Sequence, residues 1–208
     1  MNFINIISDF IQKNISEVTG AITGLVCIYL NTKQNIWAFP LAIVSSVLYV
    51  MVFKEMGFYA DAGLNAVYVV LSLYGWYQWL YGGANQTTLP VSKATSRELA
   101  ILAVLGCTFT GLGYFYFKKY TDAPAPFLDS FNTAFSLVAQ WLLMQKRLEN
   151  WLFWILVDAI YVPMFIWREK YPTAVLYLIF LGLAVKGYLD WKKSYISFKN
   201  PSPSIKTQ

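Results

Sequence analysis

The chain contains no histidine. That absence removes imidazole metal ligands, Ser–His and Cys–His nucleophilic pairs and a histidine proton relay. Charge is scarce as well: Asp, Glu, Lys and Arg make up 13% of the 208 residues, against about 25% in soluble domains. With so few charges a water-facing surface is hard to build. Only two cysteines occur, Cys27 and Cys107, both inside apolar runs. Free buried thiols are expected there rather than a disulfide or a metal site. No glycine-rich phosphate loop is present, and Asp61, Asp129, Asp158 and Asp190 form no paired i, i+4 carboxylate motif. Neither a nucleotide-driven motor nor an acid–base hydrolase is indicated, so no catalytic residue, cofactor or metal is expected. No basic segment precedes the first apolar run, and a secretory signal is not expected.

What the chain does contain is apolar: 57% hydrophobic and 18% aromatic residues, with a mean hydropathy of +0.46. The membrane class follows. The net charge of +5 sits in short loops and the C-terminal tail, as membrane topology requires, and does not indicate nucleic-acid binding. Seven runs approach the ~20 residues that a spanning helix needs: 17–30, 35–53, 60–81, 98–117, 128–144, 150–167 and 172–191. Residues 1–16 read as an amphipathic segment lying at the interface, with Phe3, Ile6, Ile7, Phe10 and Ile11 on its apolar side. Residues 194–208 read as a tail. One side of the membrane holds Lys13, Lys54, Lys118, Lys119, Arg168 and Lys170. The other holds Lys33, Lys93, Arg97, Lys146, Arg147, Lys192, Lys193, Lys199 and Lys206. The bias places the N-terminus outside and the C-terminus in the cytoplasm of a plasma (inner) membrane.

The chain also repeats itself. Shifted by 114 residues, Lys33 meets Arg147, Trp37 meets Trp151, Lys54 meets Arg168 and Glu55 meets Glu169; shifted by 112, Gly75 meets Gly187 and Trp79 meets Trp191. Three helices (17–81), a bland linker helix (98–117) and three more (128–193) give an all-α membrane protein. Its two triplets are parallel repeats related by an axis along the membrane normal.

Polar residues inside apolar helices are the functional candidates. On 150–167, Trp151, Trp154 and Asp158 share one helical face, with Tyr161 a turn further. Asp158 has no basic residue one turn away. Two indoles beside an acid suit a planar cation, by stacking and cation–π attraction. On 128–144, Asn132, Ser136 and Gln140 form a stripe with Asp129 at one end; on 60–81, Asp61, Asn65, Tyr68 and Ser72 share a face. Such residues also serve as hydrogen-bond glue between helices. Trp76, Trp79, Trp167 and Trp191 lie at helix ends and read as an aromatic belt. Lys186 and Asp190 read as a local ion pair. Pro163 interrupts the 150–167 run and reads equally as a static kink or the mark of a moving helix.

The stretches SLYGWYQWLYGG, AQWLL and ENWLFWILVD, in a three-one-three frame, resemble the PnuC family of bacterial vitamin transporters over about residues 17–193. The resemblance implies a SWEET-like fold and uptake of nicotinamide riboside by facilitated diffusion. It also implies trapping by a cytoplasmic kinase and a homo-trimeric assembly. The family's tryptophan pair falls on Trp151 and Trp154; its usual asparagine is here Asp158. An acid suits a cation or an amine donor, so thiamine is a close alternative substrate. A substrate-binding membrane subunit that needs an ATPase partner is an alternative of a different class. Asn132, Ser136, Gln140, Asn65, Tyr68 and Tyr161 complete the expected substrate-binding set.

Overall fold

The computed structural model describes residues 15–55, 59–121 and 125–200. Among the described residues seven α-helices follow one another: α1 (Ile15–Thr32), α2 (Ala38–Glu55), α3 (Tyr59–Tyr81), α4 (Ser96–Tyr120), α5 (Pro126–Met144), α6 (Asn150–Trp167) and α7 (Tyr171–Lys199). One short 3-10 turn, Ala84–Gln86, lies between α3 and α4. Among the described residues there is no β-strand, only an isolated bridge between Ser92 and Arg147. Each helix covers one of the seven apolar runs. The cause is physical: in hydrocarbon every backbone polar group must be satisfied within its own segment, and a helix does this.

The chain divides into two compact units, Met1–Leu73 and Tyr74–Gln208. In the first, α1 packs along α2. The turn between them is closed by Asn35, whose side-chain oxygen accepts from the backbone N–H of Trp37 at 2.9 Å. In the second, α4 packs on α5, α5 on α6, and α6 on α7. Its core is built from Ala134, Phe135 and Val157, with Phe131, Phe153 and Tyr161 packed against them. A second cluster, Leu102, Val138 and Leu142, joins α4 to α5. The opposite side of α4 stays bare, with Val104, Phe109, Leu112 and Phe115 each more than half exposed. A stripe that apolar belongs in lipid. The spans Ser96–Tyr120, Asn150–Trp167 and Tyr171–Lys199 are each long and apolar enough to cross a membrane.

Three expectations change. α7 does not end near residue 191 but runs on to Lys199, so the first residues of the expected tail are helical; nothing in 192–199 breaks a helix, and the stop comes at Asn200 before Pro201. Cys107 is exposed on α4 and Cys27 half-buried, so neither thiol is fully enclosed. Trp79 and Trp191 are fully buried, at 2% and 0% exposure, and are not belt residues. Trp167, 64% exposed, has the exposure a belt residue requires. The expected Lys186–Asp190 pair is present at 2.5 Å. α6 runs unbroken through Pro163. The expected interfacial segment falls on residues 1–14, outside the described residues, and on the first two residues of α1.

Candidate functional site

The α5–α6 hairpin presents most of the expected residues. The turn that joins these helices spans only residues 145–149, so they run antiparallel and depth can be counted outward from it. At a rise of about 1.5 Å per residue, Gln140 lies level with Trp154, Ser136 with Asp158, and Asn132 with Tyr161. Asn132 is fully buried, Ser136 and Gln140 half-buried. On α6, Trp151 and Asp158 are buried at 2% and 4% exposure, while Trp154 and Tyr161 are half-buried. Asp158 makes none of the ion pairs found among the described residues, which join Arg147 to Glu98, Arg168 to Asp129 and Lys186 to Asp190. Both amide atoms of Asn132 and the indole nitrogen of Trp151 are buried with no hydrogen-bond partner. A buried polar group left without a partner costs about 1–3 kcal/mol. This hairpin therefore holds several such groups and an acid together.

Not every candidate stands in the same surroundings. Tyr161 is stacked on Phe165 at 5.4 Å and packs on Tyr177 at 4.7 Å. Asp129, at the far end of the stripe, is held by Arg168, whose Nη2 donates to its two oxygens at 3.2 and 3.0 Å. Asn65 and Tyr68 are half-buried on α3, within the first unit.

Trp151 is the second residue of α6, and its ring is enclosed rather than open. Gly187 of α7 lies directly against its six-membered ring. Trp191 meets it edge-on, with centroids 5.4 Å apart at 89°. Trp191 in turn packs on Trp79 at 5.7 Å and 61°. The indole N–H of Trp79 donates to the carbonyl of Leu143 at 3.1 Å. Above Trp79 sits Lys146, its ammonium 4.4 Å from the ring centroid and donating to the carbonyl of Leu89 at 2.9 Å. Lys146 lies in the α5–α6 turn, outside the spans, and burial pushes its ammonium down to about 8.

The same turn is clasped by the α3–α4 linker. Ser92 N–H donates to Lys146 O at 3.1 Å and Leu148 N–H to Ser92 O at 2.8 Å. Arg147 reaches Ser92 Oγ at 2.8 Å and pairs with Glu98 at 3.2 Å. Glu149 accepts from the N–H of Ala94 at 2.8 Å. Sequence reasoning missed Gly187, Lys146, Arg147 and Glu98. The repeated Gly-x-x-x-Trp was the one available signal, since a glycine one turn before a tryptophan lets another ring approach the helix backbone.

The sequence profile described as nicotinamide mononucleotide transporter matches residues 14–193. The chain belongs to this family. Among curated relatives, it is 27% identical to the nicotinamide riboside transporter PnuC of Escherichia coli (strain K12), over 86% of this chain and 85% of that one. It is 28% identical to the riboflavin/roseoflavin transporter RibM of Streptomyces davaonensis, over 85% and 84%. A crystal structure of the vitamin B3 transporter PnuC superposes with a TM-score of 0.67 at 21% identity, covering 91% of this chain and 85% of that one. Family members and the structural neighbour are transporters, and this chain is a multi-pass membrane transporter whose small-molecule substrate crosses a lipid bilayer.

Proposed function

We propose that the protein carries nicotinamide riboside across the bacterial inner membrane by facilitated diffusion. The observation that supports this most is the α5–α6 hairpin: a buried acid, Asp158, that makes no ion pair among the described residues, and the orphaned polar atoms of Asn132 and Trp151. An isolated buried carboxylate is expensive. A cationic guest offsets it. In this reading the pyridinium ring lies against Trp154 and the presented edge of Trp151. Asp158 balances its charge, and Asn132, Ser136, Gln140 and Tyr161 bond or enclose its polar arms. The first three helices and the last three act as parallel repeats joined by α4. The more basic side faces the cytoplasm, where a kinase phosphorylates the substrate and traps it; a homo-trimer completes the assembly.

Asp158 favours a second substrate, thiamine, since its thiazolium ring is also cationic. The same acid argues against riboflavin, whose ring is neutral. The deciding experiment is calorimetric titration of purified protein with nicotinamide riboside, thiamine and riboflavin, repeated with Trp151→Ala and Trp154→Ala. Binding of one cationic vitamin, abolished in both variants, is expected. Normal binding by both variants would sink the stacking reading. Release of substrate from pre-loaded vesicles without nucleotide is expected; binding without release would favour a subunit that needs an ATPase partner.

A further inference from the structure

We propose that Gly187, Trp191 and Trp79 are positioning residues that fix the indole of Trp151 as one wall of the substrate site. The inference rests on the reading that Trp151 contacts the substrate.

The argument begins at Gly187. A Cβ built there would lie 2.6 Å from three atoms of the Trp151 ring, Cε2, Cζ2 and Cη2. No side chain fits without moving the ring. Glycine in a helix interior carries an entropic cost, and here the close contact explains it. One turn later Trp191 sets its ring perpendicular to Trp151, the edge-to-face geometry that aromatic quadrupoles favour. The α7 backbone at Gly187 and the crossed ring of Trp191, one turn apart on the same helix face, together hold the indole in one orientation. Trp191 is 0% exposed and is itself held by Trp79. Trp79 is anchored by its bond to Leu143 and covered by Lys146.

The three indoles are not equivalent. Buried tryptophan N–H groups ordinarily find a partner, and that of Trp79 does. The N–H of Trp151 does not, although the residue is 2% exposed. Trp79 is thus the anchored ring and Trp151 the presented one, its donor left for a ligand. The repeat sharpens the contrast. Trp37, the counterpart of Trp151, is 67% exposed, so the enclosure belongs to one half of the chain.

The test uses the full chain in lipid nanodiscs, titrated with nicotinamide riboside, thiamine and riboflavin, with thermal unfolding measured alongside. Gly187→Ala should weaken binding at least tenfold and raise KM for vesicle uptake by a similar factor. The maximal rate should stay within about threefold, and the unfolding temperature should fall by only a few degrees, the overpacking being partly offset by alanine's better helix propensity. Trp191→Phe, which keeps a ring edge, should bind within about threefold of the parent; Trp191→Leu should lose tenfold or more. On a Trp151→Phe background the smaller ring does not reach Cζ2 and Cη2, so adding Gly187→Ala should cost almost nothing further. Wild-type affinity in Gly187→Ala, or an equal loss on both backgrounds, overturns the proposal. If position 187 tolerates no side chain for folding, equal affinities of the two Trp191 variants overturn it instead. Trp151→Ala is run in parallel. Should it bind normally, or the parent bind none of the three vitamins, the reading of Trp151 itself fails and the inference falls with it. Should Trp151→Ala lose binding while Gly187→Ala keeps it, the reading stands and only the positioning is wrong.

Discussion

Arg147 and Glu98 meet at 3.2 Å although α5 and nearly all of α4 lie between them in the sequence. The pair is partly shielded, with side-chain exposures of 28% and 20%, and the same guanidinium also donates to Ser92. One side chain thus holds both the linker and the start of α4 to the α5–α6 turn. Arg147→Met should destabilise the protein by about 2 kcal/mol, since it strands a partly buried acid and breaks charge-assisted bonds. Arg147→Lys should recover little of this, because a lysine cannot reproduce the planar fork. Thermal unfolding in detergent measures both; a Lys variant as stable as the parent would count against the clasp.

Lys146 predicts a pH dependence with a definite sign. Its ammonium titrates at about 8 in the folded protein, lowered by burial from 10.5. Between those values the unfolded chain binds the extra proton, so stability should rise as pH increases through that window and be lost as pH falls through about 8. A shift of that size corresponds to about 3 kcal/mol at full effect. Lys146→Met should lack the rise. Unfolding free energies of parent and variant at pH 7.5 and pH 10 test the difference, which cancels the titration of all other groups.

Asp158→Asn should separate charge from shape. The substitution keeps the side chain's size and removes its charge. Affinity for whichever cationic vitamin binds the parent should fall at least tenfold, about 1.4 kcal/mol, with no loss of thermal stability. Unchanged affinity in calorimetric titration would remove the acid from the recognition model.

Asn132→Leu should move stability and binding in opposite directions. Both amide atoms of Asn132 are buried and unpartnered, so an apolar side chain of similar volume should stabilise the empty protein by about 1 kcal/mol. Substrate affinity should drop at the same time. A variant both less stable and fully able to bind would show the amide to be ordinary structural glue.

The positions of all seven helices were legible in the sequence because the bilayer simplifies the problem. A run of apolar residues of the right length must be helical when no water can satisfy its backbone. Where α7 ends was not legible by that rule. Residues 192–199 leave the apolar regime, and only local helix-breaking signals govern them. Trp79 and Trp191 show a deeper limit. Position along a helix gives depth in the membrane, but which way a side chain points around the helix depends on its neighbours. Two tryptophans at belt depth proved to face inward, Trp191 onto Trp151 and Trp79 onto Trp191. The Trp151, Trp154 and Asp158 face and the Asn132 stripe could be read from spacing, since i, i+3, i+4 and i+7 share a side in any helix. The linker clasp could not, because it joins two loops that no periodicity connects.

That clasp also orders events in time. Ser92 bonds to Lys146 and Leu148, so the ring it closes contains the whole of α4 and α5. The entropic cost of closing so long a loop is only modestly greater than for a short one, but its second half must first exist. The clasp can therefore close only once both helices are in place. Closure reports that α4 and α5 have been inserted with opposite orientations, since only then do Ser92 and Lys146 emerge on the same side. The linker thus ties the relative orientation of α4 and α5 to a pair of backbone hydrogen bonds.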